Sequence, residues 1–181
     1  MHLADSHLLE AWVQDADRTT PAGDPLSMAF WLMKSEPSEV SIDDVLHRPG
    51  QRVDWFGVRN YQARNYMMRD MQVGDGVLFY HSSCPQPGVA GLAEVSRQAI
   101  PDETQFDAQS PYYDPKATRE QPRWYNVEVR AVKKTPLLSL GALRSEPALQ
   151  DMRLLARGNR LSITPVTPAE WNAILELINA A

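Results

Sequence analysis

The densest group of polar and aromatic residues lies between positions 55 and 65, where Trp55 and Gly57 precede two arginines and two asparagines. A buried core would place Leu, Ile or Val here, because guanidinium and amide groups are costly to bury without partners. Polar groups that bond the edge of a planar ring, beside aromatics that stack on its face, suit a nucleobase pocket. A solvated helix start would use the same residues, so both interpretations stay open.

Short strands must position this segment. Residues 29–33 form an apolar run that predicts a buried strand, and Pro37 biases the residue before it away from the helical region. Lys34 and Ser35 then stand at the exit of the strand, where side chains can face a cleft. Asn60 is a suitable N-cap for a helix that runs to Met71.

The remaining pattern predicts a mixed α+β domain. Strands are expected at 76–83, 89–95, 123–132 and 161–166, and residues 51–55 are expected to be a strand or an extended loop. Helix starts with capping signals occur at Ser41 and Thr167. There is no alternation of strands and long helices. We therefore predict a small, partly open β-barrel of about five or six strands with short helices at its edges.

The chain divides at Met28. Leu8, Leu9, Trp12 and Val13 have helical spacing, but residues 19–25 are rich in Thr, Pro, Gly and Asp, as linkers are. We expect residues 1–27 to be a flexible N-terminal extension and residues 28–181 to be the folded domain.

Charge and composition limit the function. The 181 residues carry a formal net charge of -5, so the whole surface does not attract phosphate backbones. Nucleic-acid binding would need a local basic patch and a specific pocket. A basic rim is conceivable if the fold gathers the scattered cations, although such residues are usually solvated: Lys34, Arg59, Arg64, Arg69, Lys133, Lys134, Arg157 and Arg160.

Other classes of site find little support. The single cysteine, Cys84, excludes an internal disulfide, and four scattered histidines do not form a metal cluster. No phosphate-binding glycine loop, membrane span or secretory signal is recognisable. We expect a cytoplasmic protein without metal or cofactor, and the sequence does not indicate its oligomeric state.

Two alternatives to a binding pocket remain. His81 could act as an acid or base in an enzyme that modifies a nucleotide, although adjacent strand residues such as Ser82 face away from it. The long loop between Pro101 and Pro122 could instead bind a partner protein.

Several motifs together resemble the EVE domain family. They occur in family order at 31–37, 57–65, 79–82, 88–91, 101–107, 113–115 and 160–163. The resemblance implies a PUA-like fold, related to the YTH readers of methylated adenine. It also implies a non-catalytic module that binds RNA or DNA and accepts a modified, typically methylated, base flipped into a pocket.

The resemblance also implies roles for individual residues. Trp55 and Tyr80 are expected as aromatic walls, and Val58 shapes the pocket. The polar contacts to the base are expected from Lys34, Ser35, Asn60, Ser82 and Ser162. Contacts to phosphates are expected from Arg59, Arg64 and Arg160.

Overall fold

The computed structural model describes residues 3–16 and 28–181. Its six strands are β1 (Phe30–Ser35), β2 (Arg52–Asp54), β3 (Gly76–His81), β4 (Gly88–Pro101), β5 (Tyr125–Ser139) and β6 (Ile163–Val166). Its α-helices are α1 (Leu3–Ala16), α2 (Ile42–His47), α3 (Tyr61–Asn65), α4 (Leu140–Ser145) and α5 (Pro168–Ala180). A π-helical turn (Tyr66–Asp70) extends α3, and 3-10 turns lie at Pro49–Gln51, Glu103–Gln105, Pro147–Leu149 and Arg153–Leu155.

The strands form one mixed sheet in the order β2-β5-β4-β3-β1-β6. All neighbours are antiparallel except β1 and β3, which run parallel. The register shifts at four places between β4 and β5, and such irregularities bend and twist a sheet. The edge strands β2 and β6 do not pair with each other within the described residues, so the predicted α+β fold is confirmed as an open, curved sheet.

Each face of the sheet carries a hydrophobic core. Trp31, Met33 and Phe79 pack on one side, whereas Phe30 and Leu32 pack on the other with helix α5. Successive strand residues alternate between the faces, which explains why β1 reads as a continuous apolar run.

The predicted helix caps are present. Ser41 and Thr167 each form a capping box with the acid three residues on, and Asn60 Oδ1 accepts a hydrogen bond from Ala63 N at 3.0 Å. No helix among the described residues has the length and apolar character required to cross a bilayer.

The N-terminal segment differs from the expectation. Residues 3–16 form α1, and Trp12 is fully buried with its ring edge-on to Trp171 at 5.3 Å. Trp12 Nε1 donates to the carbonyl of Gly74 at 3.4 Å, and Leu8 and Leu9 pack on the same core. Residues 3–16 therefore pack on the domain, because a large aromatic ring anchors the helix, and the division of the chain at Met28 stays a prediction. The predicted linker at 19–25 lies outside the described residues.

Replacing Trp12 tests this anchor. Trp12→Ala should lower the free energy of unfolding by about 3 kcal/mol, because it leaves a cavity beside Trp171. Urea denaturation measures the loss, with the exposed Gln14→Ala as the matched control on the same helix. A change in Trp12→Ala no larger than that of the control would show that α1 adds nothing to stability.

Candidate functional site

A cavity of about 430 Å³ opens where the parallel strands β1 and β3 end. Its volume lies in the range of small-molecule sites. The side opposite the strand ends is built by β2 and the segment that leads into α3. The lining residues are Lys34, Ser35, Glu36, Glu39, Val40, Val53, Asp54, Trp55, Phe56, Gly57, Val58, Arg59, Asn60, Ser82, Ser83, Tyr112, Arg160 and Ser162.

All but two of the predicted site residues line this cavity. The pocket group is represented by Lys34, Ser35, Trp55, Val58, Asn60, Ser82 and Ser162, and the phosphate group by Arg59 and Arg160. Tyr80 and Arg64 lie elsewhere. The fold therefore gathers residues that are up to 128 positions apart, between Lys34 and Ser162, into one concave surface.

Tyr80 lies on the other side of the sheet. It is buried in the core that contains Leu92 and Trp171, and burial raises the pKa of its phenol. Its predicted role as an aromatic wall of this cavity does not fit that position. The alternation of strand residues sends Phe79 to the cavity side and Tyr80 away from it.

The guanidinium of Arg64 binds other residues of the protein. Its guanidinium donates to the carbonyl of Arg123 at 3.0 Å and to Asn65 Oδ1 at 2.8 Å, and it lies over the ring of Tyr61. These contacts fix the start of α3 against the segment before β5. Arg64 is consequently absent from the cavity lining, contrary to its predicted phosphate contact.

Three aromatic side chains, Trp55, Phe56 and Tyr112, line the cavity. Trp55 is only 7% exposed, its backbone N-H donates to the carbonyl of Val127 at 2.8 Å, and its ring packs edge-on to Phe79. Phe56 and Tyr112 meet edge to face with their ring centroids 5.9 Å apart. The cavity therefore offers planar apolar surface on which a flat ligand could stack.

Tyr112 was not predicted as a site residue. It reaches the cavity from the loop between Pro101 and Pro122, and its hydroxyl donates to Glu39 Oε1 at 2.5 Å. Burial, followed by the hydrogen bond to Glu39, raises the pKa of Tyr112 to about 12. The signal in the sequence is the adjacent pair Tyr112 and Tyr113 in this long loop, for which we considered only the binding of a partner protein.

The cavity contains hydrogen-bond donors that make no bond with the described residues, among them those of Lys34 and Asn60. The ammonium of Lys34 makes no hydrogen bond or ion pair with any described residue, and partial burial lowers its pKa. The amide nitrogen of Asn60 is also unused within the described part of the chain, since its oxygen caps α3. By contrast, Ser35 Oγ already donates to the carbonyl of Val40 at 2.6 Å. The site therefore presents donors to the acceptor edge of a ligand.

Arg59 connects the segment before α3 to the long loop. Its guanidinium donates to Asp102 Oδ2 at 2.9 Å, to Thr104 Oγ1 at 2.9 Å, to the carbonyl of Val58 at 3.0 Å, and twice to the carbonyl of Tyr112. A guanidinium has five N-H donors, and these bonds use all of them. The predicted phosphate contact of Arg59 therefore has no free donor.

Asp102 is the acceptor at the centre of this network. Its side chain is fully buried and also accepts from the backbone N-H of Gly57 at 2.9 Å and from both donors of Thr104. Burial raises the pKa of Asp102, but the hydrogen bonds from Thr104, Gly57 and Arg59 together bring it below its usual value. Asp102 is therefore a carboxylate that joins the segment before α3 to the long loop.

His81 lies outside the cavity lining. Its Nε2 is 3.1 Å from the backbone N-H of Ile42, which donates to it at the first residue of α2. Burial lowers the pKa of His81, as expected for an imidazole that accepts a hydrogen bond in its neutral form. The described residues contain no group of three or more His, Cys, Asp or Glu placed to hold a metal ion.

Comparisons with known proteins agree with the motifs. The model for the EVE domain matches residues 29–177. Human thymocyte nuclear protein 1 is 40% identical over 167 residues, which cover 82% of this chain and 73% of that protein. A crystal structure of a Pseudomonas putida protein has a TM-score of 0.78 and 49% identity, covering 82% of this chain and 99% of that one. Human THYN1 protein in complex with DNA containing 5-methylcytosine has a TM-score of 0.76 and 40% identity, covering 82% and 96%.

Gly57 should tolerate no side chain. Its φ is +80°, and an added Cβ would lie 2.7 Å from Tyr112 Cζ. Gly57→Ala should lower the free energy of unfolding by more than the ~1 to 2 kcal/mol that a left-handed conformation alone costs. Gly74→Ala, at φ +98° with open space around the new Cβ, is the control that isolates that backbone cost. Equal losses in thermal unfolding for the two variants would contradict the contact with Tyr112.

Asp102 should contribute stability that depends on pH. Because its folded pKa lies below the unfolded value of ~3.9, the contribution is complete above that value and is lost as pH falls through the folded pKa. Asp102→Asn should cost about 3 to 5 kcal/mol at pH 7, and the gap to the parent protein should narrow below about pH 4. Urea unfolding between pH 3 and 7 measures this, with the exposed Asp107→Asn as control. A gap that is constant with pH would show that the Asp102 charge is unimportant.

Proposed function

This chain belongs to the EVE domain family, and on that premise we propose that it is a non-catalytic module that binds a methylated base of nucleic acid in the cavity beside Trp55. The PUA-like α+β fold implied by the motifs is confirmed by the architecture and by its structural relatives. We also propose that the protein acts in the cytoplasm.

One observation carries the proposal: the cavity combines aromatic side chains with hydrogen-bond donors, among them those of Lys34 and Asn60, that make no bond with the described residues. A base offers a flat face for stacking and ring or carbonyl acceptors at its edge, which these groups complement. The complex of human THYN1 protein with 5-methylcytosine-containing DNA makes that modified base the first ligand to test.

A methyl group would be recognised by apolar contact. Val40, Val53 and Val58 contribute aliphatic surface to the cavity, and a buried methyl group gains ~1 kcal/mol. Stacking on an aromatic side chain adds ~1 to 3 kcal/mol. A lining with both polar and aliphatic side chains thus suits a base that keeps its hydrogen-bonding edge and gains a methyl group.

The phosphate backbone would contribute less. Arg160 is exposed at the cavity and makes no hydrogen bond or ion pair with the described residues, so it can contact a phosphate. Arg59 and Arg64 are occupied by the chain itself. With a net charge of -5, binding should depend on the pocket and only modestly on salt.

The alternative functions are not favoured by the geometry. A nucleotide-modifying enzyme with His81 as acid or base would need that ring at the cavity, and the ring is instead turned to α2. The long loop, considered as a partner-binding segment, covers the site through Tyr112 and the Asp102 network.

Removing the charge of Lys34 tests the pocket. Oligonucleotides of one sequence, as DNA or RNA and with cytosine or 5-methylcytosine, are titrated at fixed salt. We expect the methylated DNA to bind most tightly and Lys34→Met to weaken that binding about 10- to 100-fold, because a charged hydrogen bond is worth ~1.5 to 3 kcal/mol.

Two further variants complete the test. Lys133→Met removes a lysine outside the cavity lining and should bind as the parent protein does. Trp55→Ala should abolish the preference for the methylated base. Equal weak binding of all oligonucleotides, unaffected by Lys34→Met, would refute the proposed function, and a preference for the RNA would reassign the ligand.

A further inference from the structure

A second, shallower cavity of about 390 Å³ lies directly beside the first. The two share Val53, Asp54 and Phe56, so a single short strand and one aromatic ring separate them. The far side of the second cavity is formed by the turn after α2, with Arg48, and by Glu128 of β5. A ligand that leaves the first cavity in this direction therefore meets another concave surface at once.

The acidic groups of the second cavity already have cationic partners. Asp54 Oδ1 accepts from Arg97 at 2.5 Å. Glu128 Oε1 accepts from Ser96 Oγ at 2.8 Å and pairs loosely with Arg52 at 3.5 Å. Their charges are largely compensated, so they repel an anion less than two free carboxylates would.

Arg48 is different from these paired groups. Its guanidinium is exposed and makes no hydrogen bond or ion pair with the described residues. It is therefore a cation of this cavity that is available to a phosphate, which an arginine can bind with two parallel hydrogen bonds.

The backbone holds Arg48 in place. Its N-H donates to the carbonyl of Val45 at the end of α2, and its carbonyl accepts from Gln51 N at 2.9 Å. Gly50 and Gln51 both have positive φ, at 67° and 56°. Gln51 is an uncommon residue for that region, so a tight and defined turn connects Arg48 to β2.

We propose that the second cavity receives the nucleotide next to the flipped base, with its phosphate on Arg48 and its base against the Phe56 side of the partition. This inference rests on the proposed function. A base flipped into the first cavity keeps both of its phosphates, and the strand must continue from the mouth of that cavity. The neighbouring nucleotide on one side then lies over Phe56, where an aromatic ring can stack with a base of any sequence.

Replacing a single phosphate by an uncharged group tests the contact with Arg48. A DNA oligonucleotide with one 5-methylcytosine is prepared with an uncharged methylphosphonate at the position 5′ or 3′ of that nucleotide. We expect one of the two replacements to weaken binding about 5- to 20-fold in the parent protein, and less than about 2-fold in Arg48→Ala, which has already lost the contact. Arg48→Ala should also reduce the slope of log affinity against log salt by about 1.

An abasic nucleotide tests the stacking. Placed on the same side as the sensitive phosphate, it should weaken binding at least threefold, and on the other side it should have a smaller effect. Arg144→Ala, an exposed arginine of α4 that lines neither cavity, is the control and should behave as the parent protein does. If Arg48→Ala unfolds at the same temperature as the parent protein, its weaker binding reflects the lost contact with the phosphate and not a disturbed end of α2.

The outcomes separate the two proposals. Suppose that the protein prefers methylated DNA but that the methylphosphonate weakens binding equally in the parent protein and in Arg48→Ala. This result would overturn the second site alone. If an abasic nucleotide does not change the affinity on either side of the 5-methylcytosine, the stacking on Phe56 is refuted. No preference for the methylated base would overturn the proposed function, and the adjacent site with it.

Discussion

The ion pair between Arg59 and Asp102 is the constraint on which the candidate site depends. Asp102 has no exposed side-chain surface and would be costly to bury without its donors. Those donors come from the segment before α3 and from the long loop itself, so satisfying one carboxylate fixes both. The loop has little regular structure beyond one 3-10 turn, yet it places Tyr112 in the cavity wall. The shape of the cavity wall thus depends on a carboxylate that does not itself line the cavity.

The topology of the sheet explains where the cavity forms. Strands β1 and β3 are parallel neighbours, so their carboxyl ends meet at one edge and bring Lys34, Ser35 and Ser82 together. Both faces of these strands are covered by hydrophobic core, so among the described residues the ends of the two strands, and not their faces, are open to a ligand. The N-cap of α3 then adds Asn60 from the opposite side. The cavity is therefore a consequence of strand direction and of one short helix.

The distribution of charge agrees with selective binding. The chain is acidic, and several of its arginines neutralise carboxylates or bind backbone carbonyls. The cations without partners in the described chain include Lys34 and Arg160 at the first cavity and Arg48 at the second. A ligand in these cavities would contact few unpaired cations, and each of them lies beside apolar side chains. Such a surface favours recognition of a particular base over attraction to any phosphate backbone.

Patterns in the sequence predicted the strands, the capped helix starts at Ser41, Asn60 and Thr167, the family, and most of the side chains that gather at the cavity. These follow from signals within a few residues of each other, or from motifs of the family. The remaining features depend on contacts between distant parts of the chain. Strands buried on both faces read as uniform apolar runs, so local pattern could not tell that Tyr80 faces away from the cavity. Arg59 and Arg64 bind partners 43 and 59 positions away, and Trp12 packs on Trp171, so only the folded chain shows that these residues hold the structure together.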